Sequence, residues 1–359
     1  MVKQLKHLTN LVRFKRGARI PIIGPIKAEW EVINICNARC QTCQFWRNYP
    51  DKSILTFDEA VNLIDQMADM GVLKLCFTGG EPLLRKDLVD LIAYAGSKNL
   101  STSLITNGFL ITERRARELV DAKLESIYIS LDAAEPRLND EIRGFPGYYD
   151  LALKAMDNLK AMRRNANPKI YIKTTVSRLN LHHLVPLAKL SITWGIDGLR
   201  FQPAQHIEGT EFTFEPDILL DENDYDVLAN YIDKIIKNYS PAVKGFMDYC
   251  VALKNFYLSQ NSFKHYRSVS GFSYAIIDPW GNVFTSPTKK ELLGNLRQQS
   301  LYEIWFGSKA NEIRNDSLEN SSINYLFDTV GNMSVYFSDL SVKRFFKVIR
   351  PIFNGVECF

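Results

Sequence analysis

Three of the six cysteines in this 359-residue chain fall within eight positions, Cys36-Asn-Ala-Arg-Cys40-Gln-Thr-Cys43. Three soft thiolates spaced C-x3-C-x2-C on one loop can converge on a metal centre. Zinc would ask for a fourth protein ligand. No cysteine or histidine nearby completes a familiar zinc spacing, which leaves His182, His183 and His206 as remote candidates. A four-iron cubane has four corners, so three cysteines leave one iron open, and an open corner is what a catalytic centre needs. Three buried thiols without metal are the third reading. Cys76 lies in an apolar run and reads as a small buried hydrophobe. Six cysteines are too few for a disulfide framework, which points to a reducing, cytoplasmic compartment.

The elements that must hold this loop follow a regular rhythm. Apolar strand-like runs at Trp30–Ile35, Val72–Phe77, Ser101–Ile105, Ile127–Leu131, Ile170–Val176 and Gly198–Phe201 alternate with helical patterns. Thr56-Phe-Asp-Glu59 is a capping box opening the first of these helices. Such alternation predicts an α/β fold with a parallel sheet and right-handed crossovers. The expected architecture is a partial (β/α)6 TIM-type barrel with a small α+β C-terminal cap. In such sheets functional groups collect where strands end. The unusual residues lie there: the cysteine loop, Thr78–Pro82, Thr106-Asn107-Gly108, and Ser130 with Asp132.

Cys36, Cys40 and Cys43, followed after the second strand by Gly79-Gly80-Glu81-Pro82, resemble the radical S-adenosylmethionine (radical SAM) enzymes. The resemblance covers residues 29–215. It implies a 4Fe–4S cluster on the three cysteines and SAM chelated to the open iron. One electron then cleaves SAM to methionine and a 5′-deoxyadenosyl radical, which takes hydrogen from a substrate. The resemblance also implies cofactor-binding roles. Gly79 and Gly80 would let backbone approach the cofactor, and Glu81, followed by Pro82, would accept from the SAM ammonium. Thr106 and Asn107 would lie beside SAM, Ser130 and Asp132 would face the ribose, Arg143 the carboxylate, and Gln202 the adenine. One departure stands out: Thr42 occupies the position before the third cysteine where the family often has an aromatic residue, and Phe45 and Trp46 follow instead. The electron would come from a flavodoxin or ferredoxin.

The expected organisation is a basic extension (1–28), the barrel (29–215), connecting helices (216–265), the cap (266–315) and a tail with a basic amphipathic helix (316–359). The cap resembles a SPASM/twitch extension, with a hairpin turn at Asp278-Pro-Trp-Gly281, Gly294-Asn295-Leu296 and a capping box at Ser300-Leu-Tyr-Glu303. Ser268 and Ser286 stand where that extension has cluster cysteines, so no auxiliary cluster is expected. Cys250 and Cys358 are unremarkable thiols or hydrogen-atom donors to a substrate radical. The substrate is left open as a peptide, a small metabolite or a lipid-linked compound. A non-catalytic SAM- or cluster-binding scaffold and a zinc-binding α/β protein are the rival readings.

A hydrophobic fraction of 46% and a charged fraction of 23% exclude a disordered or coiled-coil protein. No apolar run approaches the roughly 18 residues of a membrane span. The basic N-terminus lacks a continuous apolar stretch, so no secretory signal is expected. Net charge is +4, but residues 1–27 carry seven Lys and Arg with no acid, and 340–359 carry four against Glu357. An acidic body with basic ends is not a nucleic-acid groove. Leu5, Leu8, Leu11, Val12 and Ile20 at one end, and Phe345, Phe346, Ile349 and Phe353 at the other, sit near helical spacing beside those cations. The pattern suggests peripheral contact with the inner face of a membrane, or apolar stripes packed on the barrel.

Overall fold

The computed structural model describes residues 2–43, 45–47, 53–205, 215, 217–259, 268–286 and 291–319. Helix α1 (Val2–Lys15) precedes six strand–helix units. The strands are β1 (Lys27–Ile33), β2 (Lys74–Gly79), β3 (Ser101–Thr106), β4 (Ser126–Ser130), β5 (Lys169–Val176) and β6 (Gly198–Pro203). Between and after them lie α2 (Phe57–Asp69), α3 (Leu88–Ser97), α4 (Glu113–Asp121), α5 (Pro136–Arg143), α6 (Tyr148–Met162) and α7 (Leu184–Thr193). The chain continues through α8 (Glu222–Asn238), α9 (Met247–Leu258), β7 (Tyr274–Ile277), β8 (Asn282–Phe284), β9 (Leu292–Asn295), α10 (Leu301–Phe306) and α11 (Ser308–Glu319). The capping box expected at Thr56 is formed: Glu59 N–H donates to Thr56 Oγ1 (3.3 Å) and Thr56 N–H to Glu59 Oε2 (2.8 Å).

One nine-stranded sheet runs in the order β6-β5-β4-β3-β2-β1-β7-β8-β9. β1 to β6 are parallel neighbours, β7 is parallel to β1, and β8 and β9 add antiparallel strands. The sheet is not closed. The hairpin β7–β8 joins the barrel edge-on through β7, Lys27 standing opposite Tyr274 and Trp30 opposite Ile277. β1 also begins earlier than its apolar run suggested, at Lys27.

That earlier start exposes a pattern. Successive residues of a strand face opposite sides, and β1 reads Lys27-Ala-Glu29-Trp-Glu31-Val. Ala28, Trp30 and Val32 belong to the buried apolar core with Leu75, Phe77, Leu104, Ile127, Ile129, Ile170, Ile172, Leu199 and Phe201, under the helices. The register puts Lys27, Glu29 and Glu31 on the opposite, concave face with Cys76, Tyr128, Tyr171, Lys173, Arg200 and Gln202. The helix-covered face is apolar and the concave face polar.

Helix α1 docks against the chain following α2. Lys3 Nζ donates to Ala68 O (2.6 Å), His7 Nε2 meets Gly71 O (2.7 Å), and Ile22 N–H donates to Asn10 Oδ1 (2.9 Å). Leu11 and Phe14 are buried, Phe14 against Phe272. Of the stripe considered for a bilayer, Leu11 therefore packs inward while Leu5 and Ile20 stay exposed. The counterpart at residues 341–353 lies outside the described residues. No described helix is long and apolar enough to cross a membrane.

Candidate active site

The cysteine loop leaves β1 and is fastened on three sides. Gly80 N–H donates to Ile33 O and Glu81 N–H to Ile35 O, both at 2.8 Å, so the Gly-Gly-Glu turn after β2 zips onto the start of the loop. Asn107 Nδ2, after β3, donates to Asn37 Oδ1 (2.6 Å). The end of α5 closes the third side: Gln41 N–H donates to Ile142 O (2.9 Å) and Arg39 N–H to Arg143 O (3.3 Å). Gly144 caps α5 in a left-handed conformation (φ 63°), and a Cβ there would collide with Arg39 O.

Close approach also explains Gly79 and Gly80, though not as the sequence suggested. A Cβ on Gly79 would strike Ile33 O, and one on Gly80 would strike Ile35 O. Both glycines are required by the backbone of β1 and its loop, before any cofactor is considered. Pro82 is buried and opens a single 3-10 turn for which Glu81 is the cap.

Glu81 is buried and accepts three hydrogen bonds: from Thr106 Oγ1 (2.7 Å) and Leu83 N–H (3.0 Å) on Oε1, and from Asn107 N–H (2.8 Å) on Oε2. Burial outweighs these donors and raises its carboxyl to about 7. Thr106 and Asn107 thus tie the end of β3 to Glu81 and to the cysteine loop. Ser130 is half-buried at the end of β4, and its register partner is Lys173.

Asp132 has partners within the protein. It is fully buried, accepts from Thr175 N–H on Oδ1 (2.8 Å), and lies 2.7 Å from Arg143 Nε through Oδ2. A carboxylate so enclosed is turned to the arginine. Arg143 Nη1 in turn donates to Cys40 Sγ (3.8 Å). Gln202 sits at the end of β6 with a buried Oε1 that has no hydrogen-bond partner.

The five described cysteines form no disulfide. Burial raises the Cys36 thiol to about 11 and Cys43 to about 12, and raises Cys40 as well. Each thiol feels the negative charge of a neighbouring cysteine or acid, with Arg143 as the opposing cation. Such thiols become thiolates when a metal supplies positive charge. Among the described residues no three His, Cys, Asp or Glu side chains surround one ion-sized point, as a zinc site would require. A cubane asks for less, because each thiolate takes a different iron. The donor set, the cation beside it and the unpartnered Gln202 Oε1 at the same end of the sheet fit a cluster with a polar cofactor next to it.

Thr42 is half-buried, and Trp46 Nε1 donates to Cys40 O (3.0 Å), so the aromatic residue after the motif braces the loop's backbone. Cys76 is buried in β2, as expected. Cys250 is buried in α9, where burial raises its thiol to about 12; Cys358 and His206 lie outside the described residues. Ser268 Oγ accepts from Ser270 N–H (3.2 Å) in a turn. The charged concave wall, Glu29, Glu31, Lys173 and Arg200, escaped the reading of the sequence. Its signal was available as charged residues alternating with apolar ones inside strands.

Residues 30–190 match the family described as the radical SAM superfamily. The chain is 34% identical over 175 residues to the AdoMet-dependent heme synthase of Nitratidesulfovibrio vulgaris, covering 46% of each chain. It is 32% identical over 186 residues to the PqqA peptide cyclase of Bradyrhizobium diazoefficiens, covering 51% of this chain and 47% of that one. The chain spans about half the length of these curated relatives. The solved structure of native anSMEcpe with bound AdoMet and Cp18Cys peptide shares the fold at a TM-score of 0.62 and 19% identity, over 92% of this chain and 98% of that one.

Proposed function

We propose that the chain is a radical SAM enzyme that holds one 4Fe–4S cluster on Cys36, Cys40 and Cys43. S-adenosylmethionine would lie beside it, across the C-terminal ends of β1 to β6. The observation that carries this reading is one loop bearing three thiols, pinned to the Gly-Gly-Glu turn, to Asn107 and to the end of α5. When bound, the two groups supply reductive cleavage of SAM and abstraction of hydrogen from a substrate. The chain's own residues do the positioning. Glu81 would take the SAM ammonium on Oε2, Ser130 would face the ribose, Arg143 would offer Nη2 to the carboxylate, and Gln202 Oε1 would accept from a donor such as the adenine amino group.

The concave face is polar, so the substrate it receives is polar. A peptide or a small molecule is supported by relatives named as a peptide cyclase and a heme synthase. The electron would come from a low-potential carrier such as a flavodoxin or ferredoxin. Residues 266–315 are read as a SPASM/twitch-like cover without a cluster, since Ser268 and Ser286 replace thiols. Membrane contact draws little support from α1, whose Leu11 and Phe14 are buried.

Anaerobic reconstitution tests the reading. About four irons per chain are expected from one cubane, with loss in Cys36→Ala, Cys40→Ala and Cys43→Ala. Dithionite should then release 5′-deoxyadenosine from SAM. A chain that binds iron but never cleaves SAM is a scaffold; about eight irons would show that the cover holds a second cluster.

A further inference from the structure

Arg143 is a cation in hydrogen-bond contact with a cysteine sulfur. Its guanidinium is gripped on two edges. Nε lies 2.7 Å from Asp132 Oδ2, and Nη1 points at Cys40 Sγ from 3.8 Å. Its Cζ lies over the Tyr148 ring, 5.4 Å from the ring centre. Asp132 is itself immobilised: Oδ1 accepts from Thr175 N–H, its own N–H donates to Asn139 Oδ1 (2.9 Å), and its carbonyl accepts from Asn180 Nδ2 (3.0 Å). The backbone of Arg143 is bonded to the cysteine loop through Arg39 N–H. The ion pair and the backbone bond keep the guanidinium beside the sulfur.

We propose that the Asp132–Arg143 pair is a positioning device that holds a permanent positive charge and an N–H donor on the Cys40 sulfur and so raises the reduction potential of the cluster. The inference rests on the cluster reading above and goes beyond it. A hydrogen bond and a cation at a ligand sulfur stabilise the more negative, reduced cluster. The buried pair is otherwise hard to explain: taking two charges from water is unfavourable, and an apolar pair would fill the space as well. Removing the arginine takes the cation from the sulfur, and burial would drive the Asp132 left behind to its neutral form.

The test compares reconstituted wild type, Arg143→Gln and Arg143→Lys by EPR-monitored redox titration without SAM, each normalised to its iron content. Arg143→Gln should shift the midpoint to more negative potential at unchanged iron stoichiometry. Arg143→Lys, which keeps the charge without the fork, should recover part of the shift. A wild-type chain labelled with 15N-arginine should show a weak 15N coupling to the reduced cluster by pulsed EPR, a readout that needs no variant. An unmoved midpoint in a loaded Arg143→Gln enzyme overturns the inference alone, as does a wild-type cluster without 15N coupling. A wild-type chain that takes up no iron overturns the underlying reading and the inference with it.

Discussion

Glu81 is at once a structural residue and a candidate contact to SAM, and these roles can be separated. Replacing it with glutamine turns one acceptor into a donor facing Thr106, Leu83 or Asn107, so stability should fall by about 1–3 kcal/mol. Loss of a charge-assisted bond to the SAM ammonium adds a separate effect of about 1.5–3 kcal/mol on affinity, read by anaerobic calorimetry on protein with an intact cluster. The pH dependence distinguishes them. Burial places the Glu81 carboxyl near 7, and the ammonium needs the ionised form. SAM affinity in the wild type should therefore weaken by up to about tenfold per pH unit below that point, while Glu81→Gln should be flat there. An equal slope in both proteins would remove Glu81 from the contact. The sequence made the cysteines and this turn legible because their types and spacing are local. It left the pairing of Asp132 with Arg143 unread because that partner lies across a loop and a helix, and no spacing rule connects a strand-end acid with the last residue of α5.

Among the elements, α1 was legible as an amphipathic helix, but its docking was not. The apolar stripe fits a bilayer or a protein surface equally, and only the contacts of His7, Asn10, Leu11 and Phe14 decide for the protein. The same contacts make the docking acid-sensitive. His7 is buried against Gly71 O, and burial lowers its pKa from 6.5 to about 4, with Lys3 adding to the effect. A released α1 would bind a proton more readily than a docked one. Docking is therefore at full strength above about pH 6.5 and weakens as the pH falls towards 4, by about 3 kcal/mol at most. Hydrogen exchange of residues 2–15 should rise, relative to the intrinsic rate, between pH 7 and pH 5, and it should rise less in His7→Gln. Equal protection at both pH values would show that the histidine does not govern the docking. The strand–helix units were legible because their apolar periods are strong. β1 was clipped because Lys27, Glu29 and Glu31 interrupt its apolar run, although that alternation is what makes the barrel's interior polar.

At the scale of the molecule, the C-terminal piece is bound into the barrel rather than laid upon it. β7 continues the sheet through β1, Leu55 N–H donates to Pro279 O (2.8 Å), Leu301 N–H to Gln66 Oε1 (2.6 Å), and Trp305 Nε1 to Ile23 O (3.2 Å). Arg297 joins Glu59 (2.6 Å) and the carbonyls of Ser53 and Ile54. A fragment ending at residue 215, which the strand–helix rhythm would suggest as an independent domain, should therefore leave β1 with a bare edge and self-associate. Size-exclusion chromatography of that fragment against the full chain measures this; a stable monomer would contradict it. The distant pairing was beyond the sequence because a four-residue apolar run carries no record of the strand it will join.

The place of β1 between β2 and β7 has a consequence for how the protein is made. On a ribosome, β1 and the three cysteines emerge early and β2 can join them soon after, but β7 follows only when most of the chain has been translated. Until then the strand that carries the metal loop is a border of the nascent sheet, open to other chains and to chaperones. Translation speed between β6 and β7, and the availability of chaperones during that interval, should then set the yield of native protein more than the intrinsic stability of the finished fold.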